Sequence, residues 1–144
     1  MRIIRKFEGF IEDGVVKIQN PDLSRAKFLI QESENGYLFL KELIEKFPIN
    51  YENANSVVKL CYDIIMELIR AKMLKAGFNA SGQGAHEAEV SYLRKLNFDD
   101  KDIQTADQLR YFRNGITYYG KILDKEYAEE VLKFLDKIRK KLLE

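Results

Sequence analysis

Val57-Val58-Lys59-Leu60-Cys61-Tyr62-Asp63-Ile64-Ile65-Met66-Glu67-Leu68-Ile69-Arg70-Ala71-Lys72-Met73-Leu74 is the stretch whose pattern settles the fold class. Val57, Leu60, Cys61, Ile64, Ile65, Leu68 and Ile69 recur at three- and four-residue spacing, the period of one helical face. The pattern predicts a helix that begins near Asn53 or Asn55, continues through Met73 and Leu74, and stops at Gly77. It is the most apolar helix of the chain and is expected at the centre. Lys59, Asp63, Glu67 and Arg70 interrupt it, so it lacks the uninterrupted run of about 18 apolar residues that a membrane span needs.

The same period extends outward. Leu23, Ala26, Ile30, Tyr37, Leu40, Ile44 and Phe47 form a stripe over 21–47, opened by Asn20-Pro21 and ended by Pro48. Downstream, 79–85 read as a polar, glycine-containing loop, 85–96 as a short helix, and 100–119 as a long helix ending at Gly120. The last helix starts at Asp124 and buries Tyr127, Val131, Phe134, Leu135, Ile138 and Leu142. Its basic final turns suit a helix C-terminus. Short connections between long helices predict an all-α, antiparallel four-to-five-helix bundle over 21–144, a single domain. Residues 1–20 are expected to form an arm or hairpin. Asp13-Gly14 lies between two short apolar runs within Phe7-Glu8-Gly9-Phe10-Ile11-Glu12-Asp13-Gly14-Val15-Val16-Lys17-Ile18, which predicts a β-hairpin.

Composition narrows the chemistry. At 144 residues a chain can bury roughly 68–70% of its unfolded surface, enough for a real core. One Cys excludes an internal disulfide, and Cys61 with His86 falls short of a structural zinc set. The basic start has no long apolar stretch behind it, so no signal peptide is expected, and the reading is a cytoplasmic protein without a membrane anchor. A net charge of +1 gives no overall attraction to a polyanion, so any nucleic-acid contact needs a local patch.

One local patch stands out. In Leu109-Arg110-Tyr111-Phe112-Arg113-Asn114-Gly115-Ile116-Thr117-Tyr118-Tyr119-Gly120, Leu109, Phe112, Ile116 and Tyr119 share one arc of a helix. Arg110, Arg113, Asn114, Thr117 and Tyr118 share the opposite arc. Two guanidinium forks, a carboxamide and a hydroxyl suit a phosphate, and a ring suits a base; a solvated helix face paired to acids has the same pattern. Gly115 in mid-helix costs about 1 kcal/mol relative to Ala, which close approach of a ligand or of another helix would explain. His86, the only His, follows Ser81-Gly82-Gln83-Gly84-Ala85 near a helix start. It has the chemistry of a general base, or of a residue bonded to a neighbouring loop. The Gly77–Gly84 stretch lacks the Gly-Lys-Ser/Thr of a phosphate loop, Ser81 is in no G-x-S-x-G turn, and Asp99-Asp100-Lys101-Asp102 lacks a calcium-loop pattern.

These residues resemble the HEPN family (higher eukaryote and prokaryote nucleotide-binding) of small helical bundles. The resemblance spans roughly residues 23–143. It is carried by Tyr62 and the Lys72-Met73-Leu74-Lys75-Ala76-Gly77-Phe78 end of its helix, by the 81–93 stretch around His86, and most specifically by Arg113-Asn114 leading to Tyr118-Tyr119-Gly120. Family members with RNase activity carry Arg, a polar residue and, after a short spacer, His. Here Arg113 and Asn114 match, and Tyr118 stands in place of the His. The resemblance implies a homodimer with an RNA- or nucleotide-facing cleft. It makes Arg113, Asn114 and Tyr118 the catalytic candidates, with Arg110, Thr117, Tyr119 and His86 as ligand-binding ones. It implies a toxin-antitoxin or defence role, either as an atypical metal-independent endoribonuclease without a cofactor or as a catalytically silent module. The implied partner is a separate minimal nucleotidyltransferase, for which Tyr118 and Tyr119 are candidate acceptors. Tyr is a poor base at neutral pH, with an ordinary pKa of about 10.

Overall fold

The computed structural model describes residues 3–120 and 122–143. In chain order the elements are α1 (Phe7–Glu12), β1 (Val16–Ile18), α2 (Leu23–Lys46), α3 (Ala54–Lys75), β2 (Phe78–Ala80), α4 (Ala85–Ser91), α5 (Asp100–Tyr119) and α6 (Lys125–Leu143). A 3₁₀ turn, Tyr92–Arg94, follows α4. The fold is mostly helical with one two-stranded sheet.

The four long helices alternate in direction along the chain. The Asp22 N–H, at the start of α2, donates to the Leu74 carbonyl near the end of α3, and Ala26 packs with Ala71 and Leu74. Further along, a Cβ at Gly36 would meet Ile64 Cγ1 at 3.2 Å, so glycine permits the close approach of α2 to α3. The rings of Phe112 and Tyr127 meet edge to face, and Lys137 reaches Asp102, which sets α5 antiparallel to α6. The helix α3 touches α2, α4, α5 and α6, and it is buried almost all round, as its sequence demands.

Local chemistry fixes the boundaries. Asp22, not Asn20, caps α2: its carboxylate accepts from the Arg25 N–H at 3.0 Å. Asp99 does the same for α5 through the Asp102 N–H, and Asp124 for α6 through the Tyr127 N–H. Gly120 ends α5 in the left-handed region with φ +64°. Gly77 follows α3 with φ +89°, turning the chain so that residues 78–80 run back beside residues 16–18.

The N-terminal segment corrects the hairpin expectation. Residues 7–12 are helical, because Phe7 and Phe10 fall one turn apart and both enter the core. Asp13-Gly14 does turn the chain, but β1 pairs antiparallel with β2, in the register Val16 to Ala80 and Ile18 to Phe78. The polar stretch expected as a loop after residue 78 is therefore partly strand. Ile4, Phe7, Phe10 and Val16 join the same core cluster as the bundle, and Arg94 holds the Ile4 and Arg5 carbonyls, so the first residues pack onto the bundle. No helix among the described residues is long and apolar enough to cross a membrane.

Candidate functional site

Two sequence-distant segments meet at one cleft of about 710 Å³. It is lined by Gly82, Gln83, Gly84, Ala85, His86 and Glu87 at the start of α4, and by Arg110 and Asn114 from α5. The loop before α4 is held by the residue preceding β1: the Ser81 N–H donates to the Val15 carbonyl at 3.1 Å. Gly84 then takes φ +87°, where a side chain would be strained, and its carbonyl accepts the Ala88 N–H to open α4. His86 lies on that first turn and is solvent-exposed.

The position of α4 is fixed from below. Glu89 is buried, and its two oxygens accept from Arg70 Nε at 2.6 Å and Nη2 at 3.0 Å. This bidentate pair ties α4 to α3, and the carboxylate beside Arg70 holds that guanidinium more firmly protonated than usual. One turn before Glu89, His86 Nδ1 lies 2.9 Å from the Tyr62 hydroxyl, and the two rings stack with centroids 6.2 Å apart. Tyr62 is buried, and desolvation, with the nearby Glu89 charge, pushes its phenol up to about 12.

The α5 side supplies positive charge. Arg110 donates from Nε and Nη2 to a single oxygen of Asp107, at 3.0 and 2.8 Å, so its guanidinium is oriented by its own helix. Asn114 sits one turn on, in the same cleft wall. Arg113 turns toward α3 instead: its guanidinium lies 5.8 Å over the Tyr62 ring and 4.0 Å from Asp63 Oδ1. Arg113 and His86 therefore share Tyr62 as a neighbour, while Arg110, Asn114 and His86 share the cleft. Gly115 is buried, with its carbonyl accepting the Gly120 N–H. Thr117, Tyr118 and Tyr119 belong to the last turns of α5, and their side chains lie outside the described residues.

Arg110 also borders a second cleft of about 610 Å³, with Lys101, Gln104, Gln108 and the exposed Tyr111 among its lining. Among the described residues no cluster of three or more His, Cys, Asp or Glu side chains is arranged to hold a metal ion. Cys61 is buried, and desolvation raises its thiol to about 12, which makes it a core residue rather than a nucleophile. Sequence reasoning did not single out Tyr62, Glu89 and Arg70 as parts of the site. Tyr62 enters the sequence reading only as a carrier of the family resemblance, and the Arg70–Glu89 pair spans two elements. Comparison of the chain with protein-family models, with curated proteins and with solved structures gives no match.

Proposed function

We propose that this protein is a HEPN-type homodimer whose His86–Arg110–Asn114 cleft binds RNA or a nucleotide and cleaves RNA phosphodiesters without a metal. The observation that carries the reading is the cleft itself, where the sole His of the chain lies beside an Arg and an Asn of α5. An imidazole moves a proton, a guanidinium stabilises charge on the phosphorane-like transition state, and a carboxamide orients a phosphate oxygen. In this reading His86 takes the proton-transfer part that the family gives to the motif His, whose place Tyr118 occupies. Arg113 supports it by its charge next to Tyr62.

The test is cleavage of a single-stranded RNA in EDTA, wild type beside Arg113→Ala and Arg110→Ala, with dimer state read by light scattering. Cleavage lost in both variants with the dimer intact supports the reading. Cleavage unchanged in both would sink it. A second reading, a catalytically silent module that binds a co-encoded nucleotidyltransferase, is favoured by the Tyr at the motif position and by Arg113 facing Asp63. It predicts no cleavage by the wild type and a stable complex with such a partner.

A further inference from the structure

We infer that Tyr62 is a positioning residue that fixes the tautomer of His86, so that the imidazole presents an N–H, not a lone pair, to an anionic oxygen bound in the cleft. The inference rests on the proposed reading of the cleft for its ligand, a phosphate ester, but the tautomer itself does not.

The argument starts from the buried phenol. A tyrosine hydroxyl taken out of water needs an acceptor for its proton. Among the described residues its hydrogen-bond partner is His86 Nδ1, at 2.9 Å. The phenol stays protonated throughout the neutral range, because burial holds its ionisation near 12. The O–H therefore donates and Nδ1 accepts, which leaves the ring hydrogen of a neutral His86 on Nε2. Around this pair lie Arg113 over the Tyr62 ring, Arg110 on the α5 wall, Glu87 on the same helix as His86, and the Arg70–Glu89 pair beneath. The arginines favour an anion next to Nε2–H.

The tautomer has a chemical consequence. A neutral imidazole with its proton on Nε2 is not a base toward the cleft. The imidazolium is an acid there: its Nδ1–H donates to the Tyr62 oxygen, and its Nε2 proton is available for transfer. In RNA cleavage the 2′-oxygen bonds to phosphorus and its proton passes to water. The bond from phosphorus to the 5′-oxygen breaks, and the leaving oxygen takes the Nε2 proton. His86 ends neutral with its hydrogen on Nδ1, until solvent returns a proton to Nε2; water ends as hydronium, and the products are a cyclic phosphate and a 5′-hydroxyl.

His86 is the only His, so one imidazole signal in a long-range proton–nitrogen NMR spectrum reports it without assignment. The expected result, with neutral imidazole and no RNA, is a single Nε2–H tautomer in wild type that becomes a mixture in Tyr62→Phe. A wild type protonated at Nδ1, or the same tautomer in both proteins, would overturn the inference. Inorganic phosphate is expected to shift the Nε2 signal more than the Nδ1 signal; the reverse order counts against it. On RNA, Tyr62→Phe is expected to lower kcat about tenfold with KM unchanged. An unchanged kcat in Tyr62→Phe contradicts the positioning role. A wild type with the Nε2–H tautomer but no cleavage at any pH sinks the functional reading and leaves the Tyr62 assignment standing, so the two failures are distinguishable.

Discussion

Replacing Glu89 by Gln tests whether α4 is held where the cleft needs it. Glu89 is 2% exposed in its side chain, against 27% for Arg70, and it accepts two hydrogen bonds from that guanidinium. The amide keeps one oxygen as an acceptor and turns an N–H donor toward a donor. Removing one partner of a fully buried ion pair costs about 3–5 kcal/mol. Arg70 keeps part of its surface in water and one hydrogen bond survives, so the expected loss is about 2–4 kcal/mol. For a chain of this size that lowers Tm by roughly 5–15 °C. Urea unfolding followed by circular dichroism reads the difference, with an unchanged slope showing that the denatured state is not the cause. The double variant Arg70→Met with Glu89→Leu removes both charges and is expected to be more stable than Glu89→Gln alone. A loss below about 1 kcal/mol in Glu89→Gln, or a double variant worse than the single one, would refute the reasoning that this pair locks α4 to α3.

Three further outcomes follow from named contacts. The Asp99 carboxyl is held below its ordinary range, first by the Asp102 backbone N–H that it accepts, so its contribution is full above the usual aspartate range and is lost as pH falls through the folded value. Asp99→Asn keeps the cap and is expected to flatten the acid limb of a stability–pH curve; an unchanged limb contradicts this. Gly77→Ala places a Cβ 2.6 Å from the Gln19 carbonyl oxygen in a left-handed conformation, which is expected to cost about 2–4 kcal/mol in thermal unfolding. A shift of less than about 1 kcal/mol would show that the β1–α3 junction yields easily. Tyr62 is raised to about 12, so its contribution is complete below the ordinary tyrosine range and is lost as pH climbs through the folded value. The difference in alkaline absorbance titration between wild type and Tyr62→Phe is expected to show a phenol that ionises near pH 12; ionisation near 10 would contradict its burial.

The long helices were legible because their signals are local. The 100–119 reading of α5 coincides with the observed bounds, since Asp99 and Gly120 mark the ends by cap chemistry alone. The stripe expected for α6 is the buried face observed, Tyr127 being only part-buried. The N-terminus was misread because the strand that pairs with β1 lies some 60 residues away, beyond any hairpin signal, and because Phe7 and Phe10 suit one helical turn as well as an alternating strand. In the site, Arg110 and Asn114 were legible as neighbours one turn apart on a helix. Their meeting with His86 was not, since it depends on Glu89 docking α4 against Arg70. Tyr62 carried the family resemblance but was given no part in the site: nothing in a single helical pattern tells a packed ring from one whose hydroxyl holds a His.

The most direct test of the account is cleavage, in EDTA, of one RNA oligonucleotide by wild type and by His86→Ala, beside the same oligonucleotide with 2′-deoxy sugars. The account predicts that wild type cuts the RNA and leaves a cyclic phosphate end, spares the deoxy strand, and loses about 10²-fold or more of its rate in His86→Ala, with the dimer intact. Equal cleavage by His86→Ala, or cleavage of the deoxy strand, would contradict it.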